Sequence, residues 1–261
     1  MTLLLKLLLA PTLVVASSLA GRRWGPPVAG TLVALPIVAG PILLITCLEH
    51  GSDFGARAAS SALLGLMSLA FFTLVLAWAS RVLWWQGALV VAWAACLAAD
   101  LMLSRLTVPP ALSLLVVLGC AGTVAGLLPP DGPAAAPIRW PWWDLPGRAA
   151  ATVALVLTVT TLAGTVGPQV TGVLAPFPIG ISVVSGFALA QHGSAAAVHV
   201  LRGIPQGLLG FSLFCFVVAT LIQPAGTGAA FAVALTSTLA VQLTWRYAWY
   251  RSTRPPALAA R

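Results

Sequence analysis

The sequence predicts an all-α fold: a polytopic membrane helix bundle of about nine transmembrane helices, arranged as a 4+1+4 inverted-topology repeat. Three observations lead there. Hydrophobic residues make up 60% of the 261 positions and charged residues 7%, with a mean hydropathy of +1.02. That is too little charge to solvate a soluble domain of this length. Several apolar runs reach about 20 residues, enough to cross a ~30 Å hydrocarbon core as helix. Lipid offers no partner for backbone groups, so the spans are helices and not open sheet. The third observation is a repeat. A shift of 142 positions lays the chain on itself without a gap. Pro36 falls on Pro178, His50-Gly51-Ser52 on His192-Gly193-Ser194, Gly65-Leu66 on Gly207-Leu208, and Phe72 on Phe214. The match runs back to Lys6 over Arg148 and forward to Leu101 over Leu243. Repeats take precedence because they set the architecture.

The first helix, expected over 2–20, looks like a secretory signal, with an apolar stretch and small residues near Ala20. Its internal copy at 143–163 argues against that reading, since no signal operates there. The second helix, 27–49, is rich in Gly and Pro. The third (56–80) follows a turn at 49–53, and the fourth (83–103) carries Asp100. Residues 1–105 form repeat one. The fifth helix, 110–128, has no partner in the repeat. Residues 106–147 hold this linker helix and a loop rich in Pro, Ala and Trp that lies at the cytoplasmic interface. Repeat two, 148–250, supplies helices at 148–166, 169–191, 195–222 and 227–249, and 251–261 is a tail. The unpaired helix makes the number of crossings between the copies odd, so they insert in opposite orientations.

Lys and Arg set the orientation. With the C-terminus inside, ten of the thirteen (Arg22, Arg23, Arg81, Arg139, Arg148, Arg202, Arg246, Arg251, Arg254 and Arg261) are cytoplasmic, against Lys6, Arg57 and Arg105 outside. The N-terminus is then periplasmic or extracellular. The net charge of +8 follows from this bias and does not point to nucleic acid. Tryptophans 84, 85, 140, 142, 143, 245 and 249 read as interfacial anchors. Cys47, Cys96, Cys120 and Cys215 lie in apolar runs and read as small buried hydrophobes, with no disulfide frame or metal spacing.

The second helix of each repeat is the leading candidate for function. Pro36, Gly40 and Pro41 in one copy, and Pro178, Gly180 and Ser182 in the other, line a proposed solute or ion pathway. Proline removes a helix hydrogen bond, and paired broken helices in two inverted halves mark transport sites. The competing reading is a kinked, closely packed helix. A second set is polar: Glu49, His50 and Asp100 align with Gln191, His192 and Gln242. Glycines 51 and 193 suit a left-handed helix stop, and Ser52 or Asp53, and Ser194, suit the next N-cap. The proton-relay role of the histidines is therefore weighed against capping. Asp100 is expected to pair with Arg105 or Arg57. No catalytic constellation, metal site or cofactor motif is present in the sequence.

Each repeat resembles the GlpM-like group of small bacterial inner-membrane proteins, which carry one copy of about this length. The resemblance lies in a first helix ending at Arg22-Arg23, the Ala29-Gly30…Pro36 run, the turn with Glu49 and Gly51, and a final helix ending Ser104-Arg105. In the second copy it lies in Gly172 with Phe177-Pro178. It implies an inner-membrane location and a fused form of an antiparallel homodimer, and it carries over no catalytic residue. The leading functional reading is a transporter or channel-like protein for a small solute or ion, whose partners are the bilayer and, in one option, further copies of itself. The alternatives are a non-transporting scaffold or accessory protein, and a membrane-embedded lipid-modifying enzyme.

Overall fold

The computed structural model describes residues 2–103, 105–106, 108–130, 141–166 and 177–252. Among these it is helical throughout, with ten helices and no strand. In chain order they are α1 (Thr2–Trp24), α2 (Pro26–Val33), α3 (Ala39–His50), α4 (Ser52–Ala79), α5 (Trp85–Leu103), α6 (Pro110–Leu127), α7 (Asp144–Val166), α8 (Ile179–Leu201), α9 (Ile204–Ala225) and α10 (Thr227–Ser252). Six of them, α4, α5, α6, α8, α9 and α10, are long and apolar enough to cross a membrane. The chain is an all-helical, multi-pass membrane protein.

The expected helix 27–49 is two helices. Proline 36 has no N–H for the ladder, and its ring clashes with the preceding turn, so α2 stops at Val33 and α3 begins at Ala39. Short turns bridge the gap, with Ile37 N–H donating to Leu35 O at 2.8 Å and Gly40 N–H to Pro36 O at 2.8 Å. Proline 41 does not break anything. It sits in the first turn of α3, where its missing N–H has no intrahelical partner to lose. In the second copy the expected helix 169–191 begins only at Ile179, and Pro178 is its N-cap, not an interior residue. Residues 167–176, including Pro176, lie outside the described residues, as do Arg139, Trp140, Arg254 and Arg261. Helix α8 is kinked at Gly193, within the expected turn at 191–194, and a second break that the sequence did not suggest falls at Arg202-Gly203.

Gly51 (φ 88°, ψ 169°) and Gly193 (φ 80°, ψ −177°), 142 positions apart, share one backbone conformation. This is an extended glycine-only region and not the left-handed stop the sequence suggested. The capping expectation fails at α4, whose N-cap is Gly51 with no side-chain cap bond. Asp53 instead accepts a 2.7 Å bond from Gln223 Nε2. Helices α5 and α10 also start 142 positions apart.

Helix α1 packs on α7, and α4 on α9. Both pairs run antiparallel. Arg22 near the end of α1 meets Asp144 at the start of α7, and Ser18 meets Arg148. Asp53 and Gly55 at the start of α4 meet Gln223 and Ile222 at the end of α9. Helix α5 touches α8 as α10 touches α3, and α6 lies across both α4 and α9.

Burial of apolar surface from water does not hold helices together within lipid, so close packing must. The α2–α9 crossing supplies it. Gly30 and Ala34 on α2 face Gly203 and Gly207. A Cβ placed on Gly30 would lie 1.9 Å from the Val200 carbonyl oxygen, and one on Gly203 would lie 1.8 Å from that of Pro27. The backbones touch, and Thr31 Oγ1 reaches Gly203 O at 3.0 Å.

Candidate functional site

The two broken segments meet in the middle of the bundle. Val33, the last residue of α2, packs on Gly180, two residues into α8, where a Cβ would lie 2.6 Å from Val33 Cγ2. Pro36, Gly40 and Pro178 are buried. Gly40 packs against the Phe214 ring. Ser182 Oγ accepts a 2.8 Å bond from Trp93 Nε1, whose ring also stacks on Phe177 with centroids 5.6 Å apart. Val33 and Gly180 thus join the two broken segments in a tightly packed contact, with Pro36, Gly40 and Pro178 buried and Ser182 held by Trp93.

A polar network flanks it. Thr31 lies beside Gln206, Gln206 Nε2 donates to Gln242 Oε1 at 3.2 Å, and Gln242 Nε2 donates to Gln206 O at 2.9 Å. Thr238 donates to Gly210 O at 3.2 Å. Gln242 was singled out by alignment with Asp100. Gln206 and Thr31 were not, because nothing in a lone glutamine or threonine in an apolar run marks it as networked.

Asp100 is buried, 5% exposed. Its partners are not Arg105 or Arg57, which are exposed, but Ser68 on α4 and Cys96 one turn back, whose Sγ lies 3.8 Å from Oδ2. Residues 68 and 100 stand 142 positions from Gly210 and Gln242, which also touch.

The strongest charge cluster closes one end of the bundle. Asp144, fully buried, accepts from Arg22 Nη2 at 2.6 Å, from Arg148 Nε at 3.0 Å to each oxygen, and from Gln191 Nε2 at 2.7 Å. Arg148, 3% exposed, also lies over Phe187 at 5.1 Å and reaches Val184 O at 3.3 Å. Asp144 lies ahead of the apolar span that starts near Arg148. Burial opposes its ionisation, but the Arg148 charge and the hydrogen bonds from Gln191, Arg22 and Arg148 outweigh that, and its carboxyl is held below the usual range. The signal for this cluster was present as an Asp followed four positions later by Arg at a helix start.

The polar turn residues of the two copies differ in environment. Glu49 and His50, two of the polar candidates, are exposed. His50 stacks on Phe54 at 5.0 Å. Gln191 and His192 are half-buried, and His192 lines a cavity with Ser18, Ala29, Arg148 and Val184. The cavity measures about 40 Å³. A water needs roughly 10–15 Å³ on this measure, and an organic ligand site several hundred. The space therefore suits a water or two and no organic solute. No three His, Cys, Asp or Glu among the described residues are grouped to hold a metal ion.

No protein-family model, curated protein or solved structure matches this chain.

Proposed function

We propose that the protein is a transporter of a small solute or ion in a bacterial inner membrane, built from two inverted copies of a four-helix unit and here closed at the Asp144 end. The observation that carries this reading is the antiparallel packing of corresponding helices, α1 on α7 and α4 on α9. Copies inserted in opposite orientations would pack this way, and alternating access arises when such halves exchange conformations. The shared conformation of Gly51 and Gly193 supports the duplication, and the meeting of Val33 with Gly180 supports a common midplane site. The unequal exposure of Glu49-His50 and Gln191-His192 supports two halves in different states. On this reading the Asp144 end is cytoplasmic, the N-terminus is outside and the C-terminus inside. The GlpM-like resemblance would make a single-copy antiparallel homodimer the ancestral form.

One observation favours a non-transporting scaffold. The broken-helix residues are tightly packed, and the cavity beside Arg148 and His192 is water-sized. The two readings part on one experiment. Single cysteines placed along 30–45 and 177–187 are challenged with a membrane-impermeant thiol reagent from each side of sealed vesicles. Transport requires positions near Pro36 and Gly180 that react from both sides. Positions sealed from both sides under every condition tried would leave the scaffold.

A further inference from the structure

We propose that Asp100 is a proton-binding site, its carboxyl protonated in the closed bundle and releasing the proton when the halves rearrange. The release rests on the transport reading, whereas the bound proton does not. The burial of Asp100 among neutral partners carries the inference, and a count of hydrogens agrees with it. Ser68 Oγ lies 2.7 Å from the Gly65 carbonyl oxygen and is also in hydrogen-bond contact with Asp100 Oδ1. A hydroxyl has one hydrogen, a carbonyl only accepts, and an ionised carboxylate only accepts. The serine hydrogen can serve Gly65 or Asp100 but not both, and when it serves Gly65 the second contact takes its hydrogen from Asp100. The protonated acid donates to Ser68 Oγ, and Cys96 remains beside the other oxygen.

Among the described residues, no ion pair holds Asp100. On α5 itself, Arg105 lies beyond the helix end and is exposed. On α4 the ionisable residues Asp53 and Arg57 precede Ser68 by 15 and 11 positions, roughly 22 and 16 Å along the helix. On α8, Leu89 meets Gly186 and Trp93 meets Ser182, so the antiparallel run carries His192 away from Asp100, and His199 lies beyond the kink at Gly193. Residues 167–176 contain no ionisable side chain. An unpaired carboxylate in such a place is far costlier than a neutral acid. The other copy puts a neutral amide, Gln242, at the aligned position, where its N–H₂ donates to the Gln206 carbonyl.

The test uses the full chain in lipid nanodiscs. Infrared spectra at neutral pH should contain a protonated-carboxyl C=O band that is lost in Asp100→Asn and kept in Glu49→Gln. In Ser68→Ala the band should move to higher wavenumber without loss, a change that misfolding would not produce. Identical spectra for the wild type and Asp100→Asn in this region would overturn the proposal. So would loss of the band on adding sodium, which would make the site one for a metal cation. For release, the rate at which an impermeant maleimide labels Glu49→Cys should depend on pH beyond the dependence of a free thiol, and that excess should vanish when Asp100→Asn is added. Labelling that is insensitive to pH, or equally sensitive in both, would refute release while the band still decides binding. Sealed positions at Pro36 and Gly180 would defeat transport without touching the infrared result.

Discussion

At the scale of single residues, Asp144 carries the largest electrostatic stake. Removing one partner of a buried ion pair leaves an uncompensated charge and costs about 3–5 kcal/mol. Asp144→Ala strands Arg148, which is 3% exposed, so a loss of that order is expected in detergent unfolding. The pH dependence follows from the direction of its shift. The folded carboxyl takes up a proton less readily than the unfolded one. Its contribution is full above the ordinary carboxylate pKa of about 4 and is lost as pH falls through the folded value. The thermal midpoint should therefore drop on acidification, and this acid limb should be flatter in Asp144→Asn. Glycine 203 has a steric stake. Its missing Cβ would sit 1.8 Å from Pro27 O, and neither backbone has a side chain to move aside. Gly203→Ala should destabilise by about 3 kcal/mol, at the upper end of the usual overpacking range, while Gly119→Ala, with nothing within 4 Å, should be near neutral.

At the scale of elements, the turns matter as much as the helices. An L-residue at Gly193, where φ is 80° and ψ −177°, meets a region open almost only to glycine, at a cost of about 1–3 kcal/mol. Gly193→Ala and Gly51→Ala should each show that loss, even though neither position has an atom within 4 Å of a new Cβ. A purely packing-based account predicts no effect, so calorimetry of the two variants separates strain from crowding. The break at Pro36 is the other working element. Pro36→Ala restores an N–H and removes the ring clash, which favours a single helix through 26–50. Two-sided thiol access near residue 40 should then be lost. Unchanged access would count against the break as a moving part. The prolines of this region were legible in the sequence, but their roles were not alike: Pro36 ends a helix, Pro41 starts one and Pro178 caps one. Position within a turn decides this, and no spacing rule reports it.

At the scale of the whole molecule, the antiparallel pairs make a topological demand. If α1 and α7 cross the membrane in opposite senses, residues 49–53 and 191–195 open on opposite sides. Thiols placed at Ser52 and Ser194 should react with an impermeant reagent from opposite faces of the membrane, and a C-terminal reporter should be active in the cytoplasm. Labelling of both from one face would remove the inverted arrangement and the shared midplane site with it.

Composition and apolar run lengths alone determined the class of fold, because lipid leaves a chain of this hydropathy no alternative to bundled helices. The self-match at 142 positions, which needs only residue identity, named the segments to compare. What the tertiary structure decided was contact. It chose Ser68 and Cys96 for Asp100 over Arg105 and Arg57, and it assembled Arg22, Asp144, Arg148 and Gln191 from three helices. It also turned two runs of glycine into a backbone-to-backbone crossing. In a bundle this apolar many faces serve equally well as seams, and the seam used depends on which backbones can approach closely enough to touch, a property of pairs of helices that neither helix carries alone.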